Sequence, residues 1–77
     1  LRLDNPVSIT PTLTTDGRVQ VHVSAQVKLV QVQIFDSNGR LCGQQRSAEV
    51  VLPDQRGVYF VLIVTDRGRF SHKVVRN

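Results

Sequence analysis

Hydrophobic and polar residues alternate along most of this chain with a period of two, which is typical of β-strands that bury one face. Helical spacing of apolar residues is almost absent, so the pattern predicts an all-β fold. Seven short strands are predicted, each bounded by residues that favour turns. They cover residues 7–13, 18–24, 28–35, 40–45, 48–52, 57–64 and a last strand that follows Gly68 and ends close to Asn77.

Turns rich in Gly, Asp and Asn separate these strands at intervals of about 8 to 12 residues. The strongest turn signal is Asp36-Ser37-Asn38-Gly39, because Asn and Gly tolerate positive φ. We therefore predict a seven-stranded antiparallel β-sandwich of the immunoglobulin-like type, with a small open barrel as the alternative. The chain has one Cys and no Trp, so the Cys and Trp landmarks of antibody domains are absent.

Alternation in two of the strands predicts which side chains face the core. The residues predicted to point inward are Val19, Val21, Val23, Val30, Val32 and Ile34. His22, Gln31 and Gln33 are predicted on the opposite, solvated side.

The strand at 57–64 is apolar on both faces, whereas a two-layer sandwich buries only one face of each strand. We expect Tyr59, Val61 and Ile63 to border a partner-binding face, with Val61 and Ile63 as interface residues. A loop, an upstream domain, a second copy of the chain or a receptor would supply the cover. The alternative is a central strand shielded by long side chains of its neighbours.

Length and charge limit the classes of function. With 77 residues the chain is one domain, 1–77, and it does not begin with Met, so we expect it to be a piece of a longer protein. The net charge of +4 is spread along the sequence rather than clustered, which argues against a nucleic-acid partner. A weak attraction to anionic lipopolysaccharide or acidic lipid is compatible with it. No apolar stretch is long enough for a membrane-spanning segment.

The sequence offers no catalytic, metal or cofactor constellation. Cys42 is the single cysteine, and neither it nor His22 has potential ligands at a suitable spacing. Ser71 and His72 are neighbours on a strand and therefore point to opposite faces, so His72 is not placed to activate Ser71. We expect a binding or recognition domain without enzymatic activity, metal or cofactor.

Four segments together form a more specific pattern. They are Asn5-Pro6-Val7, the stretch from Val32 to Leu41, Gly57-Val58-Tyr59-Phe60-Val61 and Lys73-Val74-Val75. In this order and spacing the chain resembles the C-terminal sorting domain of the type IX secretion system of Bacteroidota over nearly its whole length. It departs from that pattern at Arg56, where the family often has a small apolar residue before the Gly.

The resemblance implies an immunoglobulin-like sandwich of seven strands that follows a cargo domain. Such a domain passes through the periplasm and directs its parent protein through the outer-membrane translocon to the cell surface. In many members a sortase then removes the domain and joins the cargo to anionic lipopolysaccharide. The implied partners are therefore the translocon and the sortase machinery.

The resemblance also suggests which residues are read. The expected recognition residues are Lys73, Val74, Val75, Arg76 and Asn77, and the expected motif residues are Asn5, Pro6, Asp36, Asn38, Gly39, Arg40, Gly57 and Tyr59. A partner could recognise the terminal strand by adding a strand of its own to the sheet edge. Unpaired edge strands could also join two copies of the chain into a homodimer. An adhesive or carbohydrate-binding module, or a spacer of a surface protein, is the alternative function.

Overall fold

The computed structural model describes residues 7–77, which form eight β-strands and no helix. In chain order the strands are β1 (Val7–Thr10), β2 (Leu13–Thr14), β3 (Arg18–Val23), β4 (Leu29–Asp36), β5 (Leu41–Gln45), β6 (Glu49–Val51), β7 (Gly57–Thr65) and β8 (Gly68–Arg76). Within the described range there is accordingly no helix of the length and apolarity that crossing a membrane requires.

The strands form two sheets. One has three strands in the order β1-β3-β6, and the other has five in the order β2-β8-β7-β4-β5. Neighbouring strands are antiparallel except β2 and β8, which run parallel. The all-β class and the largely antiparallel two-sheet architecture predicted from the sequence are thereby confirmed.

One hydrophobic core joins the two sheets, and each sheet contributes alternate residues to it. The buried apolar residues are Val7, Ile9, Val19, Val21, Val32, Ile34, Val50, Leu52, Tyr59, Val61, Ile63 and Val74. The residues that face away from this core on the five-stranded sheet form a second surface, which we call the outer face.

The predicted first strand, 7–13, is two strands in different sheets. Val7–Thr10 pairs with β3, whereas Leu13–Thr14 pairs with β8. Pro11 lies between them, after a cis peptide bond from Thr10, and it has no N–H for a ladder. The Thr12 carbonyl accepts a hydrogen bond from the Val75 N–H at 2.8 Å. The chain therefore leaves β3 and begins to pair with β8 directly after Pro11.

The prediction for Val30 was wrong, although Val32 and Ile34 are buried as expected. The pairing of β4 with β7 shifts between Leu29 and Gln31, and this irregularity leaves Val30 50% exposed. Leu29 is instead the partly buried residue that packs against the core. An extra residue in a ladder reverses the alternation beyond it, which a period-of-two pattern does not anticipate.

The core can be tested with one chemical change made at two positions. Val61→Thr is expected to lower the free energy of unfolding by about 1–3 kcal/mol, because it buries a hydroxyl at a position that is 0% exposed. The control is Val51→Thr, at a position 62% exposed, which is expected to change stability by less than about 0.5 kcal/mol. Urea unfolding followed by circular dichroism measures both, and equal losses would contradict the assigned faces of β6 and β7.

Candidate recognition site

The register of the five-stranded sheet brings the described motif segments to one end. Asp36, at the end of β4, is directly opposite Tyr59 of β7. On the other side of β7, Gly57 is opposite Arg76 and Tyr59 is opposite Val74. The turn 36–40, the strand start 57–59 and the last strand therefore meet there, and we call this region the motif end. Asn5 and Pro6 lie outside the described residues.

The turn at the motif end is organised by the Asp36 carboxylate. Its Oδ1 accepts from the backbone N–H groups of Asn38 and Arg40, both at 2.9 Å, and its Oδ2 lies 3.8 Å from Arg40 Nε. The hydrogen bond from the Arg40 N–H is the largest cause of a pKa of Asp36 below its ordinary value. The Asn38 N–H and the Arg40 charge lower this pKa further, and desolvation opposes them with a smaller effect than the Arg40 hydrogen bond. Gly39 supplies the positive φ, +82°, that closes the turn between β4 and β5.

Gly57 and Tyr59 have structural roles at the start of β7. Gly57 has a φ of +153°, a conformation that residues with a Cβ rarely adopt. Tyr59 is 4% exposed, and its hydroxyl donates to the Gln55 carbonyl at 2.8 Å. This bond ties the β6–β7 loop to the strand, so Tyr59 supports the site from below rather than presenting a side chain at the surface.

The five C-terminal recognition candidates do not share one surface. Val74 is fully buried in the core, whereas Lys73 and Val75 point to the outer face. The Arg76 side chain is only 14% exposed, and its Nη2 lies 3.1 Å from Asp54 Oδ1. Asn77 is exposed, and its N–H donates to the Thr14 carbonyl at 2.8 Å.

Arg76 also closes the sandwich next to Gly17. The Gly17 backbone has a φ of +80°, and a Cβ there would overlap the Arg76 guanidinium. Gly17 therefore leaves room for a guanidinium that packs on the backbone, and Arg76 has a structural role in addition to any contact with a partner.

The end of β8 is paired on both sides. Gly57 and Val58 of β7 are opposite Arg76 and Val75, and β2 lies along the same two residues from the other side. Strand addition at these last residues would therefore require β2 to leave. Within the described chain, the edge of β8 that carries no strand partner is the part before Val75.

The assignment of Val61 and Ile63 to an interface was wrong. Both are 0% exposed in the core, because they are opposite His72 and Phe70 of β8 and opposite Ile34 and Val32 of β4 on the inner face. The apolar residues of β7 that point outward are Val58, Phe60, Leu62 and Val64, with Phe60 39% exposed. The sequence correctly indicated that β7 is apolar on both faces. The residues assigned to the exposed face were, however, those that face the core.

A polar cleft of about 230 Å³ opens at the motif end. It lies between the 36–40 turn and the 55–59 segment, and Arg40 and Arg56 line it together with Asn38 and Gln55. The Arg40 side chain is 80% exposed and Arg56 is also exposed. Arg56 thus adds a second exposed cation to this end of the sheet.

The described residues contain no cluster of three or more His, Cys, Asp or Glu side chains that could hold a metal ion. Cys42 is exposed with a free thiol, and His22 Nε2 lies 2.7 Å from the Thr10 hydroxyl on the surface of the three-stranded sheet. Ser71 and His72 occupy opposite faces of β8, opposite Leu62 and Val61 respectively.

His72 is the one side chain in residues 7–77 with a buried polar atom that lacks a hydrogen-bond partner, its Nε2. It lies on the inner face of β8, beside core residues Val61 and Val74. The sequence pattern around Ser71 and His72 does not indicate this inward position of His72.

Comparison with models of known protein families found no match for this chain. A search among curated proteins likewise found no significant relative.

The Asp36 interactions predict a pH dependence of stability. Because the pKa of Asp36 is lowered in the folded state, the unfolded chain binds its proton first, and stability is lost as the pH falls below the ordinary aspartate range near pH 4. In Asp36→Asn the urea midpoint is expected to fall less between pH 6 and pH 3.

The carboxylate of Asp16, held in the same way by the Arg18 N–H and Thr14, remains in this variant. In the double variant Asp16→Asn, Asp36→Asn the urea midpoint should therefore depend on pH even less. If the midpoints of both variants fell with pH as steeply as that of the unchanged chain, the assignment of the pH dependence to these carboxylates would be contradicted.

The unpaired His72 nitrogen predicts a stabilising substitution. His72→Phe keeps a ring on the inner face and removes the buried polar atom, so the free energy of unfolding is expected to rise by about 1 kcal/mol. The same change at the exposed His22 serves as control and should give no gain. Urea unfolding at pH 7.5 compares the two, and a loss of stability in His72→Phe would show that the imidazole is satisfied in solution.

Proposed function

We propose that this domain is a non-catalytic secretion signal that directs its parent protein across the outer membrane through a type IX secretion system. The observation that supports this most is the meeting of the 36–40 turn, the 57–59 strand start and the 73–77 segment at the motif end. These segments are distant in sequence, and a receptor that reads a folded domain needs its contacts in one place. The register thereby brings segments that are scattered in the sequence to one end of the sheet.

An immunoglobulin-like arrangement is part of the proposal. The five-stranded sheet β2-β8-β7-β4-β5 and the opposing sheet β1-β3-β6 correspond to the two sheets of that fold if β1 and β2 are two halves of its first strand. That count gives seven strands. The Tyr59 hydroxyl bond to the Gln55 carbonyl matches the tyrosine corner found near the start of the sixth strand of such sandwiches.

Exposure divides the candidate residues into two groups. Arg40, Lys73 and Asn77 are exposed and would touch the translocon directly. Tyr59, Val74 and Arg76 are largely withdrawn from solvent and would act by holding those residues in position. Transit through the periplasm, sortase cleavage and attachment of the cargo to anionic lipopolysaccharide at the cell surface belong to the same proposal.

The alternative of an adhesive or carbohydrate-binding module receives less support. Sugar-binding modules commonly present aromatic side chains, yet Phe35, Tyr59, Phe60 and Phe70 all lie within strands and none in a loop. A spacer needs no particular surface, so any stable sandwich of similar size would replace it.

The test is a fusion of this chain behind a periplasmic reporter in a cell with a type IX system, with surface and periplasmic reporter measured separately. Deletion of residues 73–77 is unsuitable, because it removes the buried Val74 and the backbone bonds to Thr12 and Thr14. Arg40→Glu is the better change, since Arg40 is 80% exposed at the motif end. It is expected to lower the surface fraction at least about fivefold.

The matched control is Arg67→Glu, which makes the same charge change in the exposed turn between β7 and β8, at the opposite end of the sheet. Its surface fraction is expected to equal that of the intact fusion. An unrelated sandwich in place of the domain should leave the reporter in the periplasm. Export of that replacement would favour the spacer, and absence of export from the intact fusion would overturn the proposed function.

A further inference from the structure

The outer face of the five-stranded sheet is apolar on all five strands toward the motif end. It is more polar toward the other end, where Leu62 and Val64 of β7 are flanked by Ser71, Arg69, Gln33 and Gln31. Cross-strand pairing aligns Leu13, Val75 and Val58 in one row and Phe60, Phe35 and Leu41 in the next. We call these six residues the outer patch. Leu13 is 58%, Leu41 52% and Phe60 39% exposed. Beyond them the rows carry Ser71, Leu62, Gln33 and Gln44, and Gln33 Nε2 donates to Gln44 Oε1 at 3.4 Å.

The outer patch is continuous across all five strands, whereas isolated exposed apolar residues are ordinary on protein surfaces. The described chain has only two layers, and both face the core between them. No third layer in residues 7–77 covers the patch. A contiguous apolar surface of this kind, bordered by polar residues, is typical of a protein interaction site.

Charge restricts the choice of occupant. Lys73 stands within the second row, directly opposite Phe60, and Arg69 lies further along β8 on the same face. Among the described residues, the strand positions of the outer face carry no carboxylate. A second copy placed face to face would bring only further cations and no carboxylate to pair with Lys73, so charge does not favour self-association through this face. A partner with carboxylates beside an apolar surface would pair with Lys73 while covering Phe60.

We infer that the outer patch is the docking surface for a flat, apolar protein surface bordered by carboxylates, and that this surface belongs to the transport machinery. The inference rests on the proposed secretion function. Phe60 and Leu41 supply the apolar contact, and Lys73 supplies the charge that sets the orientation. The motif end contributes because Val58 and Val75 belong both to the patch and to the motif segments.

The experiment uses the reporter fusion with changes on the outer face. Phe60→Asp and Leu41→Asp place a charge in the apolar contact and repel an acidic partner, so each is expected to lower the surface fraction at least about tenfold. Lys73→Glu should do the same, whereas Lys73→Arg, which keeps the charge, should retain export within about threefold.

Gln44→Asp is the matched control, since it adds the same negative charge on the exposed outer face but in its polar half. Its export is expected to remain within about twofold of the intact fusion. Urea midpoints of the purified domains establish that each variant folds, and Leu41→Asp, on the edge strand β5, serves if Phe60→Asp fails to fold.

The outcomes separate the two proposals. Failure of the intact fusion to export overturns the proposed function and this inference with it. Export of the intact fusion, of folded Leu41→Asp and of Lys73→Glu at equal levels overturns the inference alone. Flotation of the intact domain with phosphatidylglycerol vesicles, abolished by Leu41→Asp, would assign the patch to lipid, and a dimer in sedimentation that Leu41→Asp dissociates would assign it to a second copy.

Discussion

Backbone pairing of β7 with its two neighbours is the constraint on which the rest of the structure depends. The nine residues of β7 are paired throughout with β8 and over most of their length with β4. Because side chains opposite each other in an antiparallel pair share a face, this register decides at once which residues of three strands enter the core. A shift by one residue would exchange the buried Val61 and Ile63 for Phe60 and Leu62.

The same register assembles the candidate site. It places the Asp36 turn next to Tyr59 and the last strand next to Gly57, so the positions of the candidate residues depend on the packing of the core beneath them. Val74 and Arg76 show this dependence most clearly, because one fills the core and the other packs on Gly17. Exposed residues such as Lys73 then present charge from a rigid strand, and a rigid scaffold lowers the entropic cost of binding.

Much of the architecture could be predicted from alternation and turn chemistry, because both are local. The strands from β3 to β8 begin and end within a few residues of the predicted bounds, and the Asp36–Gly39 turn forms where Gly39 allows positive φ. The division of the first strand was not predicted, since it depends on which sheet offers partners on each side of Pro11. Val30 was assigned inward because a bulge leaves no mark in a pattern of alternating residues.

The sequence by itself determined that this chain is all-β, that its last two long strands form a hairpin and that β7 is apolar on both faces. Only the tertiary structure decided which face of β7 is buried. Alternation assigns residues to two sets but does not say which set meets the core, and here both sets are apolar. The neighbours resolve the choice, because Val32 and Ile34 of β4 bring Val61 and Ile63 inward with them and leave Phe60 and Leu41 facing solvent.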